Sequence, residues 1–465
     1  MLNIRFLVAV ALLTAATFAQ AAESVGRVGY MSGTLMAQRA DGTIKVLNSK
    51  SAVLEGDMLV TSKGSYAQIK MNDGAVMTLR PSSNLKIETF RFRKEAPQSD
   101  NAVLRLLKGG FRTLTGLIGK RGDPDAYKLR AASATIGIRG TDFSSRLCAT
   151  SNCRDDNGAS VVRPAKPQAA QSQVVGRVML VQGEMSARET GGKVRKLTLG
   201  APVYEGDVLS TGNKSHAVVA FRDEGRVTLQ ESTVFQVEKF KYDKAASQEN
   251  AFLRLLKGGV RVVTGLIGRV NRDNYKFSVA NATIGIRGTG FDAWCNGPCA
   301  SGAANPGATS GNPLDGAGVY VWAGEVVMVT PGGSFVVAIQ QAAIIARDTG
   351  KPVQIIVIPP SVTDNPLPRP DSIPVDMNKE FGSEANAGDP GLYVTVHDGQ
   401  VIVTQDGNTL DLGRGETGYT NDEILVRLSA TPGFLGGDTE IDPGSDSNGS
   451  NNSNPSESAA GCVVQ

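Results

Sequence analysis

Five cysteines, two histidines and a pair of arginines inside a repeated octapeptide are the residues of this 465-residue chain whose types and spacing could do chemistry. Cys148 and Cys153 follow the first octapeptide, Cys295 and Cys299 follow the second, and Cys462 stands near the end. Two such local pairs read as disulfides in an oxidising compartment, each worth about 2 kcal/mol by the loop-entropy argument. Together they could also offer four thiolates to a zinc ion. A secretory leader at the N-terminus favours disulfides. The octapeptide ATIGIRGT occupies 134–141 and returns at 282–289. On a strand, Ile136 and Ile138 point to one face, and Thr135, Gly137 and Arg139 to the other. Arg139 and Arg287 then have two readings. As binding residues they clamp an anion or a carboxylate, with glycines opening the way. As framework residues they bridge backbone carbonyls or a nearby carboxylate, with Gly137 and Gly140 marking a bulge or a close backbone approach. The framework reading is favoured, because a charged residue in a half-buried β framework is normally paired.

Catalytic constellations are scarce. His216 aligns with Tyr66 of the first copy, so the repeat does not demand it, and neither His216 nor His397 stands near a nucleophile-elbow pattern. No H-E-x-x-H metal spacing occurs, GIRGTG at 285–290 has no strand–helix unit around it, and GLIGK at 116–120 lacks the flanks of a phosphate loop. Arg121-Gly122-Asp123 spells an adhesion tripeptide, but the second copy reads Asn271-Arg272-Asp273 there. Asp57 and Asp207, each after a glycine, read as turn residues. No catalytic residue, metal ligand set or cofactor is assigned. The formal net charge of +3 makes no electrostatic case for nucleic acid.

These residues need elements to hold them, and an internal repeat organises those elements. VGRV at 25–28 returns at 175–178, EGDMLVT at 55–61 as EGDVLST at 205–211, and LRLLKGGFRTLTGLIG at 104–119 as LRLLKGGVRVVTGLIG at 253–268. A unit of roughly 120 residues exceeds the ~20–50 of a solenoid repeat, so duplicated domains are expected. NLKIETFRF at 84–92 and VFQVEKFKY at 234–242 alternate as half-buried strands do. Turn signals every 8–12 residues add a sandwich or barrel. AVLRLLKGG could be a short helix or a strand. Later, GVYVWAGEVVMV from 318 and GLYVTVHDGQVIVT from 391 form a second, shorter pair of β-hairpin repeats, separated by the proline-rich 359–374. The N-terminus reads as a secretory signal peptide: Arg5, an apolar run from Phe6, then Ala19-Gln20-Ala21. No later apolar run is long enough to span a membrane.

The chain resembles the FecR-domain family of bacterial envelope proteins. The residues that carry the resemblance are GDMLVT and GDVLST, the DG turn before TL, ATIGIRGTDF and ATIGIRGTGF, and GLYVTVHDGQVIVT. The family signature falls on Gly137, Arg139, Gly140 and Thr141, and on Gly285, Arg287, Gly288 and Thr289. The resemblance implies jelly-roll β-sandwiches exported to the periplasm or beyond. Well-known members regulate a sigma factor through a cytoplasmic tail and a membrane helix. Only four residues precede Arg5 here, so that role is not carried over.

The expected fold is mainly β, with two tandem jelly-roll-like β-sandwich domains plus C-terminal β-hairpin segments. The expected division is 1–21 signal peptide, 22–153 first domain, 154–173 linker, 174–345 second domain, 346–390 proline-rich spacer, 391–435 hairpin segment completing the first domain, and 436–465 disordered polar tail. The expected role is a non-catalytic interaction module with an envelope protein partner, no nucleic acid and no transmembrane segment in the mature chain. An accessory sensor in envelope or iron-uptake signalling, and a saccharide binder or unrecognised hydrolase, are the alternatives.

Overall fold

The computed structural model describes residues 23–121, 123, 125–149, 173–242, 249–301, 315–347, 349–358, 360–383 and 389–436. Residues 1–22, where a signal peptide is expected, Cys153, residues 154–172, residues 437–465 and Cys462 lie outside them. The fold is mainly β. Among the described residues the strands form two sheets of 15 strands each, with matching strand orders. Each sheet curls over itself and encloses one core. In the first, Leu35, Ile69, Leu85, Phe111, Ile136 and Phe143 share a buried cluster; in the second, Met185, Val219, Phe235, Val260, Ile284 and Phe291 do so.

Local sequence explains the strands. In Asn84–Arg91 the alternation buries Leu85 and Ile87, and a register shift between Ile87 and Thr89 moves the next buried residue to Phe90. The ambiguous LRLLKGG stretch is strand, within Asn101–Leu114. Tertiary pairing decides it, because this strand bonds to Asn84–Arg91, Tyr127–Ala131, Val76–Leu79 and Ala134–Cys148.

The two sheets differ in where their last strands come from. In the second, Ala282–Asn296 runs directly on to its neighbour Gly316–Thr330, with Thr283 opposite Val329 and Asn296 opposite Gly316. In the first, the neighbour of Ala134–Cys148 is Gly391–Gln405, with Thr135 opposite Thr404 and Cys148 opposite Gly391. Strands Asn408–Gly413, Thr417–Thr420 and Leu425–Leu428 then extend the first sheet. Core residues Leu392, Val394, Val401, Val403 and Leu412 belong to the first cluster. The chain thus builds most of one sheet, all of the other, and then returns.

The proline-rich stretch differs from a free spacer. Strand Pro352–Ile355 pairs with Ala342–Ile345 in the second sheet. The short helix Pro360–Thr363 comes next, its Val362 buried beside Trp294. Residues 365–373 then cross the second sheet, and helix Met377–Phe381, N-capped by Asp376, seats Phe381 against Val174 and Tyr204. The pattern of prolines signals the lack of regular structure, but side chains of the sheet decide where the stretch lies.

Candidate interaction surfaces

The octapeptide sits at the same bulge in both sheets. Pairing slips between Arg139 and Asp142, and again between Arg287 and Gly290. Gly140 and Gly288 take φ of +57° and +63° there, a left-handed conformation that glycine adopts without strain. A Cβ on Gly399 opposite would come within 2.6 Å of the Gly140 carbonyl, so two backbones touch at this point. The signature threonines lock the bulge. Thr141 N–H donates to Thr115 Oγ1 at 2.8 Å while Thr115 N–H donates back to the Thr141 carbonyl; Thr289 and Thr264 repeat the exchange. Thr141 Oγ1 also donates to the Gln400 carbonyl, 259 positions on. Gly137 and Gly285 lie in regular pairing with Ile402 and Val327. The Arg139 side chain is exposed, and Arg287 stands opposite Glu325 in register.

The turn aspartates Asp57 and Asp207 are buried, each accepting a backbone N–H three residues earlier. Their counter-ions come from different places: Arg39 pairs with Asp57 at 2.9 Å, and Arg195 with Asp207 at 2.6 Å. Cys295 and Cys299 form a disulfide, with Cα atoms 5.2 Å apart, and Cys148 is also disulfide-bonded. Among the described residues no group of three or more His, Cys, Asp or Glu is placed to hold a metal ion. His397 Nε2 lies 2.9 Å from Ser144 Oγ.

Three surfaces stand out, and their key arginines and acids are not among the candidate site residues read from the sequence. The first grips residues 365–373 on the second sheet. Arg261 Nη1 donates to the Leu367 carbonyl at 2.8 Å and the Asn365 carbonyl at 3.2 Å; Thr228 Oγ1 donates to the Pro368 carbonyl at 3.0 Å; Arg226 Nη1 donates to the Ile373 carbonyl at 2.7 Å. These are main-chain contacts, so they read an extended path rather than a side-chain sequence. Arg369 stacks on Trp322, 3.9 Å from the ring centroid. Beneath, the Asp292 carboxylate accepts from Arg261 Nε at 3.1 Å and Trp322 Nε1 at 3.2 Å. Burial pushes the Asp292 carboxyl up to about 6 against the opposing pull of Arg261 and the indole. Gly290 makes room: a Cβ there would strike the Trp322 ring at 2.3 Å.

The second surface joins the two sheets. Arg177 is fully buried, while Arg27, its counterpart in the repeated VGRV, is exposed. The Arg177 guanidinium pairs with Glu416 and donates to the Gly200 and Glu380 carbonyls, both at 2.6 Å. Arg427 lies 3.2 Å from the other Glu416 oxygen and donates to the Lys379 and Glu380 carbonyls. Burial alone would push the Glu416 carboxyl up; the two guanidiniums outweigh it and hold the group below its ordinary value. Tyr204 is sandwiched between Arg195 and Arg414, and its hydroxyl accepts the Arg414 N–H at 2.8 Å.

The third is an edge. Strand Ile44–Leu47 ends the first sheet and, among the described residues, pairs with Leu35–Gln38 alone. Its Ile44 and Val46 share one face and are 66% and 57% exposed. In the corresponding strand of the second sheet, Val194, Arg195 and Lys196 stand where the first has Ile44, Lys45 and Val46, so the two edges differ in charge at one position, Lys196 for Val46.

The geometry is therefore that of duplicated all-β domains joined by buried charges. The family model described as FecR protein matches residues 57–163 and 207–303, each match starting at the buried turn aspartate and covering the octapeptide. The two matches are consistent with tandem FecR domains. Two solved structures of a putative anti-sigma factor from Parabacteroides distasonis ATCC 8503 are similar at 15% and 17% identity, each with a TM-score of 0.24. Each likeness covers 33% of this chain and 61% of that one, so the chain spans about three fifths of their length. No curated protein matches.

Proposed function

We propose that the protein is an exported, non-catalytic interaction module of the bacterial cell envelope that docks an extended segment of an envelope protein on the edge strand Ile44–Leu47. The observation that carries this reading is the exposed apolar face that Ile44 and Val46 form on that edge. Exposed edges are normally blunted by charge, proline or a covering element, and Lys196 puts a second charge on the other domain's edge where this one has Val46. An edge that keeps Ile44 and Val46 in solvent offers main-chain hydrogen bonds for affinity and two apolar side chains for selection. The FecR matches support an envelope role. The leader motif and the Cys295–Cys299 disulfide support export to an oxidising compartment. Among the described residues no helix is long and apolar enough to cross a membrane. The working units are 22–153 completed by 391–435, and 174–345.

The test places a photo-reactive residue at position 44 and irradiates intact cells. One discrete envelope protein should be captured, and Val46→Lys should abolish its capture while leaving the thermal unfolding profile unchanged. An outer-membrane transporter as the captured species would specify a sensing role. Capture that survives Val46→Lys, or recovery of glycan in place of protein, would overturn the edge-docking reading.

A further inference from the structure

The face that grips residues 365–373 exists twice. Register fixes the equivalence. Thr228 stands opposite Arg261 and Arg261 opposite Asp292, as Thr78 stands opposite Arg112 and Arg112 opposite Ser144. Asp292 pairs with Tyr320, two residues before Trp322, and Ser144 pairs with Thr395, two residues before His397. The first domain therefore presents Thr78, Arg112 and His397 where the second presents Thr228, Arg261 and Trp322. Arg112 is already oriented by a carboxylate: its Nε and Nη2 donate to Asp142 at 2.9 and 2.6 Å.

The chain also approaches the two faces alike. In the second domain it runs from Pro352–Ile355 through helix Pro360–Thr363, whose Val362 is buried beside Trp294, on to the face at Asn365. In the first it runs from Leu425–Leu428 to helix Gly433–Gly436, where Leu435 is fully buried beside Tyr393 and Tyr419. Arg80 donates to the Phe434 carbonyl at 2.8 Å and holds that helix on the first domain. The next residues are Asp438 onward, and the sequence runs on to Gln465, ample for one crossing.

Aligning the two short helices also aligns the residues beyond them. Pro370-Asp371-Ser372 falls on Pro443-Gly444-Ser445, and Arg369 falls on Asp442. Arg369 meets Trp322 in the second domain. Asp442 would meet His397 in the first. Both members of the contact change together, from cation on indole to carboxylate on imidazole, and the contact stays favourable. The segment 438–446 carries Asp438, Glu440, Asp442 and Asp446 and no base, which suits a face built around Arg112 and His397.

We propose that residues 438–446 of this chain lie across the first domain as 365–373 lie across the second, their carbonyls held by Arg112 and Thr78, with Asp442 against His397. Hydrogen–deuterium exchange on the full chain and on a chain ending at Gly436 tests this. In the full chain the amides of 438–446 should exchange at least tenfold more slowly than those of 450–458. In the shortened chain the Val76–Leu79 and Asn101–Leu114 strands should lose protection. A synthetic peptide of residues 437–450 should restore it, and the same peptide carrying Asp442→Arg should not. Exchange of 438–446 at the rate of 450–458 would overturn the proposal. So would a peptide that leaves strand protection unchanged, or whose effect is indifferent to Asp442→Arg. Protection by a peptide of residues 363–375 but not by 437–450 would locate a peptide-holding face whose occupant is not this segment, which also refutes it.

Discussion

Asp223 and Asp292 are acids kept in the wrong medium for a charge. Burial pushes both carboxyls up to about 6, although Asp223 accepts the Gly225 N–H at 3.0 Å and Asp292 faces Arg261. A carboxyl that holds its proton more tightly in the folded state than in the unfolded chain favours folding at low pH. Its contribution is lost as pH rises from about 4, where the unfolded group ionises, through about 6. Asparagine keeps the acceptor oxygen and cannot ionise. Asp223→Asn should therefore gain on the parent protein by about 1–3 kcal/mol between pH 4 and pH 6, measured by urea denaturation at each pH. Parallel stability–pH curves for the two proteins would show that the Asp223 charge is not the cause. The residue scale also shows how far one letter can be read. Arg27 and Arg177 occupy the same repeated motif, yet one is in water and the other has no exposed surface. Only the arrival of Glu416 and Glu380 makes the difference, and no local pattern announces it.

At the scale of elements, the legible part was whatever local alternation or duplication carries. The strands of each unit show because one face is wet and the other buried, and the octapeptide shows because a bulge with a glycine at positive φ tolerates few sequences. The path of residues 365–373 was not legible, because its contacts come from Thr228, Arg226 and Arg261, more than 100 positions earlier, and are made to its carbonyls. Prolines there report only that the chain forms no ladder. Arg261 is the keystone of this path. Arg261→Ala should expose 365–373 to protease cleavage and lower stability by about 1–3 kcal/mol, because two carbonyls and the Asp292 carboxylate lose their donor. Arg254→Ala, which removes a half-exposed partner of Glu238 on the same strand, should stay within about 0.5 kcal/mol of the parent. Equal cleavage of the two variants within 364–374 would deny Arg261 that role.

At the scale of the whole molecule, the two domains are joined through groups that do not tolerate partial removal. Arg177, Glu416 and Arg427 share one buried site, and each neutralises another. Glu416 is the carboxylate both guanidiniums share, so Glu416→Leu should cost about 3–5 kcal/mol, read from chemical denaturation. Combining it with Arg177→Met should recover part of that loss, because one of the two orphaned guanidiniums is removed as well. A double variant less stable than Glu416→Leu would mean that packing rather than charge dominates the site. The pairing of Ala134–Cys148 with Gly391–Gln405 has a consequence of another kind. Synthesis runs from the N-terminus, so the unit begun first is finished last, after the other has been made in full. Until then its longest edge is open, with Ile136, Ile138 and Phe143 awaiting the side chains that will cover them. A nick or a stop codon beyond the second domain would thus be felt in the first, hundreds of residues upstream, and a fragment that looks whole by its N-terminal sequence would be one that nascent-chain holdases keep in hand.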